Sequence, residues 1–180
     1  FSFLDARLLS GASGVNVVDL GLSTTPTVEV AVPALHADGG IILTASHNPA
    51  NWNALKLLNS KGEFINAEEG GRLLDFAKSG DFTFPEVEAT GWYRKDEGWI
   101  EKHVEMILTP PLVNVEAIKT ANFKVAVDPV NSTGGLAIPI LLKELGVTNV
   151  EMINGDVSGN FAHNPEPLRE HLVETSQLVT

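Results

Sequence analysis

Two glycines, Gly39 and Gly40, open onto Ile41-Ile42-Leu43-Thr44, and one residue later the polar turn formers Ser46-His47-Asn48-Pro49 end the run. Four apolar or β-branched residues are too few for a stable helix and have the length of a strand, so a central strand buried on both faces is expected. Such a strand needs pairing partners and covering helices, which restricts the chain to an α/β architecture. It also puts Ser46 at a strand's carboxyl end, the edge where open α/β sheets bind ligands.

The neighbouring segments carry matching punctuation. Val15 to Leu20 is short, β-branched and closed by Gly21, and reads as a buried strand. Thr24-Thr25-Pro26 supplies hydroxyl caps and a first-turn proline for a helix through about Leu35, with Glu29 in the first turn and Pro33 expected to kink or shorten the end. Ala54 to Leu58 and Glu63 to Ile65 flank Asn59-Ser60-Lys61-Gly62, a pattern that predicts a hairpin. A helix is expected over Ala67 to Lys78 with Gly80 as its stop, and an amphipathic helix over Asp96 to Leu108 that ends before Pro110-Pro111. Residues 81–95 lack a period and read as a surface excursion.

The proline pair is the expected domain boundary, giving a first domain over 1–112 and part of a second, similar domain over 113–180. The second unit reads as a short helix near Val115 to Lys119, a strand at Lys124 to Val127, a helix from about Leu136 to Leu145 and a strand at Val150 to Ile153. Asn131-Ser132-Thr133-Gly134-Gly135 suits either a helix cap or a weak phosphate loop, and His163 with Asn164-Pro165 reads as a turn.

Charge narrows the ligand. Twelve Lys and Arg stand against 23 Asp and Glu, a formal net charge of −11. The average field therefore repels nucleic acid and anionic membranes, and a small anionic substrate needs cations supplied locally. No apolar stretch approaches the roughly 20 residues that span a bilayer. The absence of cysteine excludes a disulfide framework and is compatible with a cytoplasmic setting.

A serine hydroxyl is a poor nucleophile until something removes its proton or holds it against an electrophile. A sharp turn after a buried strand would expose Ser46, and the backbone N–H groups that follow could cradle phosphate oxygens. His47 adds a titratable group, Asn48 a neutral donor, and Lys56 a full positive charge that could return to the same mouth on the next strand. Ser-His-Asn-Pro also suits an ordinary polar turn.

The longer string Gly39 to Pro49, followed by Trp52-Asn53-Ala54-Leu55-Lys56, resembles the active-site loop of the α-D-phosphohexomutases, the phosphoglucomutase/phosphomannomutase family that includes phosphoglucosamine mutase. Lys124 to Gly135 is similar to the opening strand and loop of that family's second domain, and Asn160 to Leu168 resembles the segment before its metal loop. The resemblance implies domains built as mixed-sheet three-layer α/β sandwiches. It implies that Ser46 is the phosphoserine, that His47 and Lys56 assist catalysis, and that Asn48 binds the phosphorylated hexose. It further implies Mg²⁺ held partly through the Ser46 phosphate, and hexose 1,6-bisphosphate as activator.

The family's Asp-x-Asp-x-Asp-Arg metal loop occurs nowhere in the 180 residues, and Leu4-Asp5-Ala6-Arg7 matches its N-terminal Gly-Arg-Asp-x-Arg only in part. The expectation is therefore a fragment of a larger mutase, with little turnover by itself. A non-catalytic phosphosugar-binding module is the alternative. A serine hydrolase is a third reading, for which the chain has no Gly-x-Ser-x-Gly elbow.

Overall fold

A computed structural model describes residues 13–44, 46–48 and 51–179. The Leu4-Asp5-Ala6-Arg7 segment lies outside the described residues, as do Ala45 and Pro49 of the serine run. In chain order the elements are β1 (Val17–Asp19), α1 (Thr25–Ala34), β2 (Gly39–Leu43), β3 (Leu55–Asn59), α2 (Ala67–Ser79), β4 (Tyr93–Lys95), α3 (Trp99–Leu108), α4 (Val115–Ala121), β5 (Lys124–Val127), α5 (Gly134–Glu144), β6 (Asn149–Met152) and α6 (Val173–Gln177). Short 3₁₀ turns stand at Val87–Ala89 and Arg169–His171. Among the described residues no helix is long and apolar enough to cross a membrane. The architecture is α/β with both parallel and antiparallel strand pairs.

Two compact units emerge, one from the N-terminal residues through 21 together with 63–98, the other from 22–62 together with residues from 99 onward. In the first unit β1 runs parallel to β4, with Val17 opposite Tyr93 and Asp19 opposite Lys95. The buried Asp19 carboxylate accepts hydrogen bonds from the Gly21 N–H at 2.9 Å and the Tyr93 hydroxyl at 2.6 Å, as a buried charge requires. Helix α2 starts in a capping box: Asn66 Oδ1 accepts from the Glu69 N–H at 3.0 Å while Glu69 Oε2 accepts from the Asn66 N–H at 2.8 Å. Gly80, left-handed at φ 65°, stops it. Strand β4 corrects the reading of 81–95 as wholly irregular. Its sequence, Tyr-Arg-Lys, is exposed throughout and so carries no apolar alternation to announce it.

The second unit holds the serine run. Thr24 caps α1 by accepting from the Thr27 N–H at 3.3 Å, and Pro26 occupies the first turn. Glu29 falls beyond that turn, so the expected carboxylate at the helix start is absent. The Thr27 hydroxyl, 0% exposed, lies 2.8 Å from Thr24 Oγ1 and 3.1 Å from His103 Nδ1 of α3, which ties the two helices together through one polar side chain. Pro33 sits in the last turn, where it has no N–H to offer the Glu29 carbonyl. Gly62, at φ 79°, packs against that same carbonyl so closely that any Cβ would overlap it.

β2 pairs antiparallel with β3, Gly39 opposite Asn59 and Leu43 opposite Leu55. Of the expected hairpin from 54–58 to 63–65 the turn forms, and the second arm is reduced to a lone bridge residue, Phe64. The chain turns at Asn59 to Gly62, where the Gly62 N–H donates to the Asn59 carbonyl at 3.0 Å, and the ladder along β3 is made with β2. That choice puts Leu58 and Ile42 on one face with Val32 of α1 above them, flanked by Val28 and Ala37. Burying each of these three side chains contributes about 2 kcal/mol. Gly40 lets the helix approach: a Cβ there would stand 2.7 Å from Val32 Cγ2. The opposite face is open, with Ile41 59% and Leu55 61% exposed, which corrects the expectation of burial on both sides. Among the described residues β2 has one strand partner, and α1 covers one face of the pair.

The rest of this unit follows the expected order of elements closely. α4, capped by Asn114 Oδ1 accepting from the Ala117 N–H at 3.0 Å, leads into β5. β5 pairs in parallel with β6, Lys124 opposite Asn149 and Val127 opposite Met152, with α5 as the crossover between them. α3 packs on both α1 and α5.

Candidate functional site

The loop between β2 and β3 is closed at its mouth by a backbone bond, the Thr44 N–H donating to the Ala54 carbonyl at 3.1 Å. Ser46, two residues beyond Thr44, is exposed, with φ at 58°. Left-handed backbone is uncommon for a serine and costs on the order of 1 kcal/mol. The Ser46 N–H donates to Thr44 Oγ1 at 3.0 Å, and Ser46 Oγ lies 3.3 Å from His47 Nδ1. His47 and Asn48 are exposed beside it. The structure therefore brings Ser46 and His47 into contact and seats Asn48 at the same turn.

Lys56 is the second residue of β3, opposite Ile42 and one step in from the loop's mouth. It is half-buried on the sheet face that carries Ile42 and Leu58, not an exposed edge lysine. Chemically the turn offers a presented hydroxyl, an adjacent imidazole able to accept its proton through Nδ1, and an amide donor. No carboxylate hydrogen-bonds His47 among the described residues, so the orienting third member of a hydrolase triad has no counterpart there.

A divalent metal needs convergent oxygen ligands. Among the described residues no group of three or more His, Asp or Glu side chains comes together to hold one. A phosphate on Ser46 would be a single ligand, so these residues do not by themselves fit Mg²⁺, and the serine chemistry is derived from the chain's own groups.

A second polar cluster, missed as such in the sequence, lies at the carboxyl end of β5. The Asp128 side chain is 3% exposed. Its Oδ1 accepts from the Val130 N–H at 3.0 Å and Asn154 Nδ2 at 3.2 Å, and its Oδ2 accepts from Thr175 Oγ1 at 2.7 Å and faces His163 Nε2 at 2.9 Å. His163 does sit in a turn, with Nδ1 2.9 Å from the Asn164 carbonyl. Both ring nitrogens thus face acceptors, an arrangement fully satisfied only when both carry protons. Hydrogen bonding to Asp128, reinforced by the Asn164 carbonyl, accordingly raises the His163 pKa above its usual 6.5. For Asp128, burial pushes upward, but the bonds from His163, Thr175, Val130 and Asn154 prevail and hold it below 3.8. The Asn131 to Gly135 run serves as the entry to α5: the Asn131 N–H donates to the Asn154 carbonyl at 2.7 Å, and the Gly135 N–H donates to the Ser132 carbonyl at 2.9 Å.

Comparison with known proteins adds an independent line. The family model described as phosphoglucomutase/phosphomannomutase, alpha/beta/alpha domain I, matches residues 7–83, and that for alpha/beta/alpha domain II matches residues 101–180. A phosphoglucosamine/phosphogalactosamine mutase of Sulfurisphaera tokodaii is 36% identical over 92% of this chain and 36% of its own length. A phosphoglucomutase/phosphomannomutase of Thermococcus kodakarensis is 37% identical over 98% of this chain and 38% of its own length. The crystal structure of a putative phosphomannomutase from Thermus thermophilus superposes with a TM-score of 0.80 at 29% identity, covering 98% of this chain and 41% of that one. The chain thus spans little more than a third of the curated relatives it matches.

Proposed function

Because the chain belongs to the phosphoglucomutase/phosphomannomutase family, matching its first α/β/α domain and part of its second, we propose that it is the serine-bearing portion of a phosphohexomutase that interconverts hexose 1-phosphate and hexose 6-phosphate. The observation that carries this reading is Ser46, exposed at the turn after β2 with its Oγ 3.3 Å from His47 Nδ1.

In the proposed chemistry Ser46 Oγ attacks phosphorus of a hexose 1,6-bisphosphate. The Oγ–P bond forms as the P–O bond to the sugar breaks, and the hydroxyl proton leaves by way of His47 to the departing sugar oxygen. The resulting phosphoserine then serves a hexose 1-phosphate: the 6-hydroxyl of that sugar attacks phosphorus, the Oγ–P bond breaks and Oγ regains a proton. The 1,6-bisphosphate so formed turns end for end, so that Ser46 takes its 1-phosphoryl group and hexose 6-phosphate leaves. Asn48 offers its amide N–H to phosphosugar oxygens. Lys56, one step inside the loop's mouth, supplies positive charge against a transferring group whose developing negative charge must be offset. The overall charge of −11 makes such local cations matter more, since the average field opposes an anionic substrate.

The test is labelling. The whole enzyme incubated with glucose 1,6-bisphosphate should gain the mass of one phosphoryl group, and peptide mapping should put it on Ser46. Calorimetric binding of glucose 1-phosphate with no label at Ser46 would instead support a phosphosugar-binding module. A second expected result concerns the 180 residues alone. Given glucose 1-phosphate, Mg²⁺ and a trace of bisphosphate, they should produce no glucose 6-phosphate above background, because they hold no convergent metal ligands among the described side chains. Robust turnover by that polypeptide would overturn the requirement for further domains.

A further inference from the structure

We propose that Thr44 is a positioning residue whose hydroxyl holds Ser46 in the left-handed conformation that aims Oγ, with His47 beside it, at an incoming phosphoryl group. The catalytic part of this inference rests on Ser46 being the phosphate acceptor, whereas the conformational part rests on the backbone alone.

Three observations converge on it. Ser46 has φ 58°, a region that L-residues without a special reason avoid. Its N–H donates to Thr44 Oγ1 at 3.0 Å, two residues back, the hydroxyl-to-backbone bond by which Ser and Thr side chains organise turns. Thr44 is itself fastened to the sheet, its own N–H donating to the Ala54 carbonyl of the returning chain at 3.1 Å. One side chain therefore links the position of the strand pair to the conformation of the nucleophile. Moving Ser46 to negative φ rotates its Cβ, and His47 with it, about the N–Cα bond relative to Thr44 and the strand pair, so Oγ and the imidazole 3.3 Å from it are aimed elsewhere together. Thr44 touches no reacting atom in this scheme. It acts through Ser46, and the hydroxyl is the part that matters: serine can replace it, and valine, which keeps the shape and loses the acceptor, cannot.

The experiment uses the whole enzyme with Thr44→Val and Thr44→Ser. Single-turnover labelling of Ser46 by glucose 1,6-bisphosphate should slow about tenfold or more in Thr44→Val and recover to within about threefold of wild type in Thr44→Ser, while the dissociation constant for glucose 1-phosphate moves less than about twofold in either. A merely structural role would damage binding and rate together and would not be rescued by serine, and that pattern overturns the proposal. So does an unchanged labelling rate in Thr44→Val. A crystal structure of Thr44→Val supplies an arm independent of phosphate chemistry, reading φ of Ser46 directly. An unchanged left-handed Ser46 defeats the proposal even if the wild-type serine is labelled; a shift to negative φ supports it even if the wild-type serine takes no phosphate, in which case it is the mutase reading that fails.

Discussion

Replacing Ser46 with alanine in the whole enzyme is expected to lower mutase turnover by about a thousandfold or more, because the variant lacks the hydroxyl that in the proposed chemistry takes and returns the phosphoryl group. The loss should be chemical, with folding intact. Ser46 is exposed, and its side chain makes a 3.3 Å approach to the equally exposed His47, so the thermal midpoint should shift little. Alanine at φ 58° keeps the backbone strain of an L-residue, so Ser46→Gly is the companion variant, since glycine adopts this conformation freely. Both should be inactive, and neither should take label from glucose 1,6-bisphosphate. Wild-type turnover in either one, measured by coupled assay of glucose 6-phosphate, would remove the phosphoserine from the mechanism.

The second large effect is on stability. Asp128→Ala should destabilise the chain by about 3 kcal/mol, since four donors lose their acceptor in a site where the side chain is 3% exposed. Urea denaturation near neutral pH reads this as a lower midpoint, and an unchanged midpoint would show the cluster to be energetically idle. The pH dependence has a definite sign on each side. His163 has its folded pKa raised above 6.5, so its contribution is complete below that value and fades as pH climbs through the higher folded value. Asp128 has its folded pKa lowered below 3.8, so its contribution is complete above that value and is lost as pH drops through the lower one. The pair should therefore stabilise best between about pH 4 and about pH 6.5. His163→Gln should remove the alkaline limb attributable to this pair and leave the acid limb in place. Glu174, which also acts on His163, is the charged neighbour to neutralise as a control.

What the sequence made legible were features written in short windows. The Thr24 cap with Pro26, the helix stop at Gly80, the apolar stripe of Trp99, Ile100 and Val104, and the strand at Lys124 to Val127 all have local chemistry that leaves few choices. The adjacency of Ser46 and His47 guaranteed proximity. What stayed hidden depended on partners far along the chain. The turn at Asn59 to Gly62 announced a reversal but not which strand would pair with β3; that was decided by Leu58 and Ile42 sharing one buried face under Val32. β4 pairs through its backbone while its side chains remain exposed, so no apolar pattern marks it. Asp128 and His163 are 35 residues apart, and neither has a neighbour that foretells the other. The left-handed backbone at Ser46 was equally illegible, because positive φ is foretold by glycine or asparagine and seldom by serine.

The close approach of Gly40 to Val32 and of Gly62 to the Glu29 carbonyl bears on how the proposed transfer cycle can move. With no spare volume between α1 and the β2–β3 pair, that corner has almost no compliance, and a packed interior transmits displacement instead of absorbing it. In the cycle proposed above, a bisphosphate turning end for end between two phosphoryl transfers would meet little give in the strand pair that carries the nucleophile. The choreography of that reversal would have to be carried by the sugar itself and by parts of the enzyme other than this corner.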